Sequence, residues 1–227
     1  AVTAVGTYLP PDRLTNADLD HTLGLLILRE SLPYRIVSTP WVRAAILDHN
    51  AAWRLMEPAW GSAKPGEVFL LDAAGDLEAR FFAVPGKVPL YMEGDEVQTD
   101  LVGEQTVGVE LRAGDETAFY IPGCAMLNEA LRQRLEGAAL VFFDGTLWRD
   151  DEMVRAGLGQ KTGRRMGHMS MSGADGSIAA FEDMKIGRKV FVHMNNTNPV
   201  LRPGSDERRA AERAGWTIGQ DGMEVTA

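Results

Sequence analysis

Cysteine is nearly absent from this chain of 227 residues, with Cys124 standing alone. That excludes an internal disulfide framework and a cysteine-rich zinc site, and it makes a reducing, cytoplasmic setting the expectation. Basic residues are outnumbered, 23 against 32 acidic ones for a net charge of -9, so neither nucleic acid nor an anionic membrane is expected as the main partner. No apolar run approaches the roughly 20 residues of a membrane span, and no signal peptide is visible. A P-loop, a dinucleotide-binding glycine fingerprint and a nucleophile elbow are all missing. Histidines number four, which leaves few places where imidazole chemistry can sit. What is present is ordinary for a globular protein: 45% hydrophobic and 24% charged residues, enough for a full core.

No repeat or linker divides the chain, so residues 1–227 read as one domain, and hairpins mixed with helix-linked strands predict an α/β sandwich with helices outside. Ala1–Val5 reads as the tail of a strand, broken by Gly6 and Pro10-Pro11. An apolar helix runs from His21 through Leu23 to Glu30, and a strand covers Arg35–Ser38. Thr39 caps a helix with Pro40 at its first position, carrying Val42, Ile46 and His49 on one side. Val68–Leu71 and Ala79–Val84 form strands around Ala74-Gly75-Asp76, and Thr106–Arg112 with Glu116–Ile121 form a hairpin around Gly114-Asp115. Between them Glu93 to Gly103 is acidic and expected to be mobile. Asn128 caps a helix to Leu135, and the continuous apolar run Ala139–Phe143 predicts a strand buried on both faces. Gly157 to Gly176 reads as a functional loop, and Ser177 caps a short helix to Phe181. Ser205 opens an amphipathic helix that ends at Gly215, with strands at Trp216–Ile218 and Met223–Val225.

The stretch Lys189-Val190-Phe191-Val192-His193-Met194-Asn195-Asn196-Thr197-Asn198-Pro199 is a buried strand that ends at a histidine and an Asn/Thr-rich turn. A strand fixes the histidine's backbone while the loop opens space for ligands. Upstream, Asp20 and His21 supply a carboxylate and a second imidazole. With His193 they make the two-histidine, one-carboxylate set of non-haem Fe(II) oxygenases, which leaves positions open for O2 and substrate. His168 is the candidate general acid or base beside that metal. Its neighbours Lys161, Arg164 and Arg165 are candidates to hold a substrate carboxylate. Asp144, at the end of a fully apolar strand, needs a partner; it would serve as acceptor for a ligating histidine or as a ligand itself. Asn195 and Asn196 are further substrate-binding candidates. His49 has no surroundings that suggest a ligand, and Cys124 reads as a small packing residue.

The blocks Phe143-Asp144-Gly145-Thr146-Leu147-Trp148, Asp150-Asp151-Glu152-Met153, Lys161-Thr162-Gly163, Met166-Gly167-His168, His193 to Pro199, Gly215-Trp216 and Asp221-Gly222-Met223 follow in order. On them the chain, from about Thr15 almost to its C-terminus, resembles the PqqB family (coenzyme PQQ synthesis protein B) of the metallo-β-lactamase superfamily. The resemblance implies an αβ/βα sandwich with its N-terminal part missing, since the family's first strands, glycine-rich loop and structural zinc site are absent here. The strand expected to lead into Asn16 is interrupted by Gly6 to Arg13. Where the superfamily has His-x-His-x-Asp-His, this chain has Asn16-x-Asp18-x-Asp20-His21, and Cys124 stands where a bridging aspartate is usual. Both departures weaken a two-metal hydrolase and leave Asp20, His21 and His193 as one site. The resemblance implies an Fe(II)- and O2-dependent hydroxylase, with Zn as the ion that could replace iron. Its substrate would be the tyrosine ring of the Glu–Tyr precursor derived from the PqqA peptide. Two other readings stand beside it: a metal-dependent hydrolase, and a non-catalytic carrier of PQQ or its precursor using Arg164, Arg165 and Asn195. The partners expected are a small peptide-derived substrate, no nucleic acid and no membrane, with a homodimer left open.

Overall fold

The computed structural model describes residues 12–14, 19–28, 34–48 and 51–226, with side chains from Thr22 onward. In chain order come β1 (Asp12–Leu14), α1 (Leu19–Leu28), β2 (Arg35–Ser38), α2 (Pro40–Leu47), a 3-10 helix (Ala51–Ala59) and β3 (Trp60–Ser62). Then follow β4 (Val68–Leu70), β5 (Glu78–Ala83), β6 (Val107–Ala113), β7 (Glu116–Ile121), α3 (Glu129–Leu135) and β8 (Leu140–Asp144). The last third holds three four-residue helices, α4 (Glu152–Arg155), α5 (Gly163–Met166) and α6 (Ser177–Ala180), then β9 (Arg188–Val192), α7 (Asp206–Arg213) and β10 (Trp216–Ile218).

β8 shows how this order becomes a fold. All five of its residues are buried, because alternate side chains enter different cores. Val141 and Phe143 join Phe119, Phe191 and Trp216, over which Leu131 and Leu135 of α3 and Ala211 of α7 pack. Leu140 and Phe142 join Ala118, Val190 and Val225 on the other face. The strand lies inside a seven-stranded sheet of order β10-β9-β8-β7-β6-β5-β4. Strands β7 to β10 run parallel, and the β4–β7 part is antiparallel. A three-stranded parallel sheet, β1-β2-β3, meets the large one through Val37 and Ala63, which pack on Ala79, Phe81 and Val109. The expected α/β sandwich is therefore the observed architecture. No described helix is long and apolar enough to cross a membrane.

The caps at Thr39, Asn128 and Ser205 are as expected, each side-chain oxygen accepting a main-chain N–H of the following turn. Four expectations need correction. The first is Gly157 to Gly176, read as a loop, which carries the helix α5 capped by Thr162. Gly176, not Ser177, caps α6, because a β-carbon there would lie 2.4 Å from the Ser172 carbonyl oxygen. Met223–Val225 joins no sheet; Val225 packs into the core, and Arg188 takes the neighbouring Thr226 carbonyl. The acidic segment after Pro89 is tethered, since Glu93 pairs with Lys87 and Arg165 and Gly86 bridges Leu101. The 3-10 helix and β3 escaped notice; Trp53 and Trp60 bury edge to face there, ring centres 6.4 Å apart. Ala1–Val5, Gly6–Pro11 and His49 lie outside the described residues, while Asp12 and Arg13 belong to β1.

Candidate functional site

Three adjacent parallel strands, β7, β8 and β9, end on one edge of the large sheet, so the loops that leave them converge. Such edges are where open α/β sheets place their ligands. The loop after β7 carries Gly123 and Cys124, β8 ends at Asp144 with Gly145 and Thr146 behind it, and β9 hands directly to His193. The fourth part comes from the connection between β8 and β9. Thr162 caps α5 through the Arg165 N–H, and Gly167 at φ 86° ends that helix in the left-handed region open to glycine. His168 follows at once.

Close approach of the β8 and β9 loops depends on Gly145. A β-carbon there would lie 3.0 Å from Phe191 Cβ and 3.1 Å from the Val192 carbonyl oxygen. Gly145 N–H donates to that carbonyl at 2.8 Å, and Asn195 N–H donates to the Thr146 carbonyl at 3.0 Å. Buried Asn198 donates its amide to the Gly145 carbonyl at 2.8 Å. His193, between these ties, has φ 58°, a conformation that costs a non-glycine residue and persists only where the surroundings impose it. Below it Glu152 Oε2 accepts the Trp148 N–H at 2.7 Å. Its Oε1 accepts the Thr197 hydroxyl at 2.5 Å, which in turn accepts the Asn195 amide at 2.7 Å.

Asp144 is the hub. Its Oδ2 accepts the Cys124 N–H at 2.9 Å and faces His168 Nδ1 at 2.6 Å. Its Oδ1 accepts the Thr146 N–H at 3.0 Å and the Thr146 hydroxyl at 2.6 Å. The same hydroxyl stands 2.9 Å from His193 Nδ1 and 3.1 Å from His168 Nδ1. The two imidazoles are stacked at 5.5 Å with 21° between their planes. Burial works to raise the Asp144 carboxyl, but the His168 charge and hydrogen bond, then Thr146 and His193, outweigh it and hold it below its usual range. Burial, with the Asp144 charge, pushes the Cys124 thiol far up, so no thiolate is offered and the residue packs in the core.

Asp144, His168 and His193 present ligand atoms that all lie within 4.8 Å of one another. The carboxylate, however, already meets four donors, which fills its acceptor capacity. In this geometry it accepts from an imidazole, the His168 ring. With Nδ1 of each ring turned to Asp144 or Thr146, Nε2 is the nitrogen left for chemistry, as a metal ligand on His193 and for proton transfer on His168. Imidazole suits zinc and iron alike, so His193 fits such an ion. His193 lies beside His168 and Asp144. The backbones of Asp20 and His21 fall in the first turn of α1, and their side chains lie outside the described residues. Arg164 is exposed and pairs with Asp175, whereas Arg165 is held by Glu93. Asn195 is bound into the Thr197 network, and Asn196 is exposed. Sequence reasoning missed Thr146. The available signal was a hydroxyl two residues after a buried aspartate, a spacing that favours a local hydrogen bond.

The model of the beta-lactamase superfamily domain matches residues 14–194. Coenzyme PQQ synthesis protein B of Rhizobium meliloti (strain 1021) is 48% identical over 213 residues, 93% of this chain and 70% of that protein. The protein of the same name from Methylorubrum extorquens (strain PA1) is 44% identical over 216 residues, 93% of this chain and 71% of its own. Among solved structures, Zn(2+)-bound PqqB from Methylobacterium extorquens superposes with a TM-score of 0.89 at 43% identity, covering 95% of this chain and 73% of that one.

Proposed function

This chain belongs to the coenzyme PQQ synthesis protein B family of the beta-lactamase superfamily and is a protein of PQQ (pyrroloquinoline quinone) biosynthesis; from that premise we propose that it is a hydroxylase. Its substrate is the tyrosine ring of the Glu–Tyr precursor derived from the PqqA peptide. The observation that carries this reading is the convergence of His193, His168, Thr146 and Asp144 at the ends of β8 and β9. Asp20, His21 and His193 are the ligands proposed for Fe(II), and iron bound there supplies the activation of O2. One oxygen atom enters a ring C–H as C–OH and the other leaves as water, with two electrons and two protons from an external two-electron reductant.

The chain's own residues do the rest. Asp144 keeps His168 Nδ1 protonated, so Nε2 is the atom that takes or gives a proton at the phenol. Arg164 holds a precursor carboxylate, Arg165 stays on Glu93 and supports the turn that carries His168, and Asn195 and Asn196 line the mouth beside His193. The Zn(2+)-bound relative favours a second reading, a metal-dependent hydrolase.

Anaerobic reconstitution with Fe(II), then oxygen-electrode measurement with a tyrosine-containing dipeptide and reductant, separates them. Oxygen uptake with a product heavier by one oxygen atom is expected, and it disappears in His193→Ala. Turnover by the zinc form without oxygen would replace the hydroxylase with the hydrolase. Ligand binding without turnover in any form would leave a carrier.

A further inference from the structure

The arrangement around Thr146 fixes the tautomer of the His193 ring, which it joins to Asp144 through one hydroxyl. Thr146 Oγ1 and Asp144 Oδ1 are 2.6 Å apart. Two oxygens at that distance repel unless a proton lies between them, and the Asp144 oxygens already accept the Cys124 and Thr146 main-chain N–H groups, so Asp144 stands here as an acceptor. The single hydroxyl hydrogen of Thr146 is therefore committed to Asp144. Toward His193 Nδ1, 2.9 Å away, Thr146 has only lone pairs left, so Nδ1 must carry the hydrogen. His168 reaches the same tautomer directly, its Nδ1 lying 2.6 Å from Asp144 Oδ2.

We propose that Thr146 is a positioning residue that relays the acceptor character of buried Asp144 to His193, so that one carboxylate sets Nδ1–H on both imidazoles and makes Nε2 the acceptor nitrogen of each. The main-chain ties strengthen the relay. Thr146 N–H is fixed on Asp144 Oδ1 and the Thr146 carbonyl holds the Asn195 N–H, so the hydroxyl and the His193 backbone are referenced to one short segment. It also gives the left-handed φ of His193 a reason, since a residue held in that uncommon backbone conformation at the strand end has its ring nitrogen within reach of Thr146. The consequence for metal binding rests on the reading of His193 as a ligand; the tautomer itself does not.

The test is nitrogen-15 NMR of histidine-labelled, metal-free, full-length protein, where long-range couplings distinguish Nδ1–H from Nε2–H. In the wild type both His168 and His193 are expected as Nδ1–H, and finding His193 as Nε2–H overturns the proposal without any variant. Thr146→Val, which keeps the shape and removes the hydroxyl, is expected to give a tautomer mixture at His193 alone. Chelator-competition titration with Zn2+ should then show affinity lowered about 10- to 100-fold, with Thr146→Ser restoring both readouts. Retention of pure Nδ1–H at His193 in Thr146→Val also overturns it. Correct tautomers in a protein that binds no Zn2+ would support the relay and remove the metal reading instead.

Discussion

Two carboxylates hold His168 in place, and they do it with different partners. Asp144, fully buried, is surrounded by two main-chain N–H groups, one hydroxyl and an imidazole. Glu93, with a side chain only 6% exposed, is held by two cations. Lys87 Nζ stands at 2.7 Å, and the Arg165 guanidinium meets both carboxylate oxygens at 2.8 and 3.2 Å. Arg165 lies in α5, and the Lys87 stem covers Gly167, where an added β-carbon would be 3.1 Å from Cγ. Glu93 thus ties down the turn that carries His168 without approaching the ring. The difference separates a site from a fastening. Permanent cations lock a carboxylate, whereas neutral donors around Asp144 leave imidazole as the one partner whose proton can move.

Asp144→Asn breaks the comparison at its strongest point. An amide keeps one acceptor oxygen and turns an NH2 group toward donors that now lack a partner. Urea denaturation should show a loss of about 3 kcal/mol, and hydroxylation should fall at least as far as in His168→Ala. A variant as stable as the wild type would mean that Asp144 does not carry its charge in the folded protein.

Glu93→Gln sharpens the contrast through pH. The hydrogen bond from Arg165, opposed by burial and aided by Lys87, holds the Glu93 carboxyl at about 2 against an ordinary 4.5. Its folded pKa is depressed, so its contribution to stability is complete above 4.5 and is lost as the pH falls toward 2. Thermal melts should therefore show wild type above Glu93→Gln at neutral pH, the gap closing between pH 4.5 and 2. A gap that stays constant through that window would show that the tether does not depend on the charge.

Most of the scaffold was legible because local chemistry and tertiary packing agree. Pro40 behind Thr39, Asn128 and Ser205 before their helices, and the unbroken apolar run ending at Asp144 each admit few alternatives. The 51–62 segment was not legible: a 3-10 helix containing Pro58 has no 3.6-residue stripe, and two tryptophans packing edge to face give no periodic signal. The site was half legible. His193 and Asp144 stand at strand ends, where sequence points to them, and His168 was identifiable by type. That these three share a hydroxyl from Thr146 depends on the β7–β8–β9 order, which no short stretch encodes. Glu93 was misjudged for the same reason, since an acidic loop reads as solvated until a lysine six residues earlier and an arginine 72 residues later close on it.

Arg164 offers the smallest effect on stability and the cleanest view of substrate binding. Its guanidinium is 65% exposed and pairs with Asp175, itself 67% exposed, the kind of ion pair that contributes about 0.5 kcal/mol or less. Its neighbour Arg165 is already engaged by Glu93, so replacing Arg165 disturbs the His168 turn and confounds any binding measurement. Arg164→Ala should leave the melting temperature within a degree or two and leave kcat unchanged. KM for a precursor carrying free carboxylates should rise several-fold, with no rise for its methyl ester, because a uniform binding contact lowers KM alone. Equal KM for acid and ester in both proteins would take Arg164 out of the substrate contacts and leave the exposed Asn196 as the remaining candidate at the mouth.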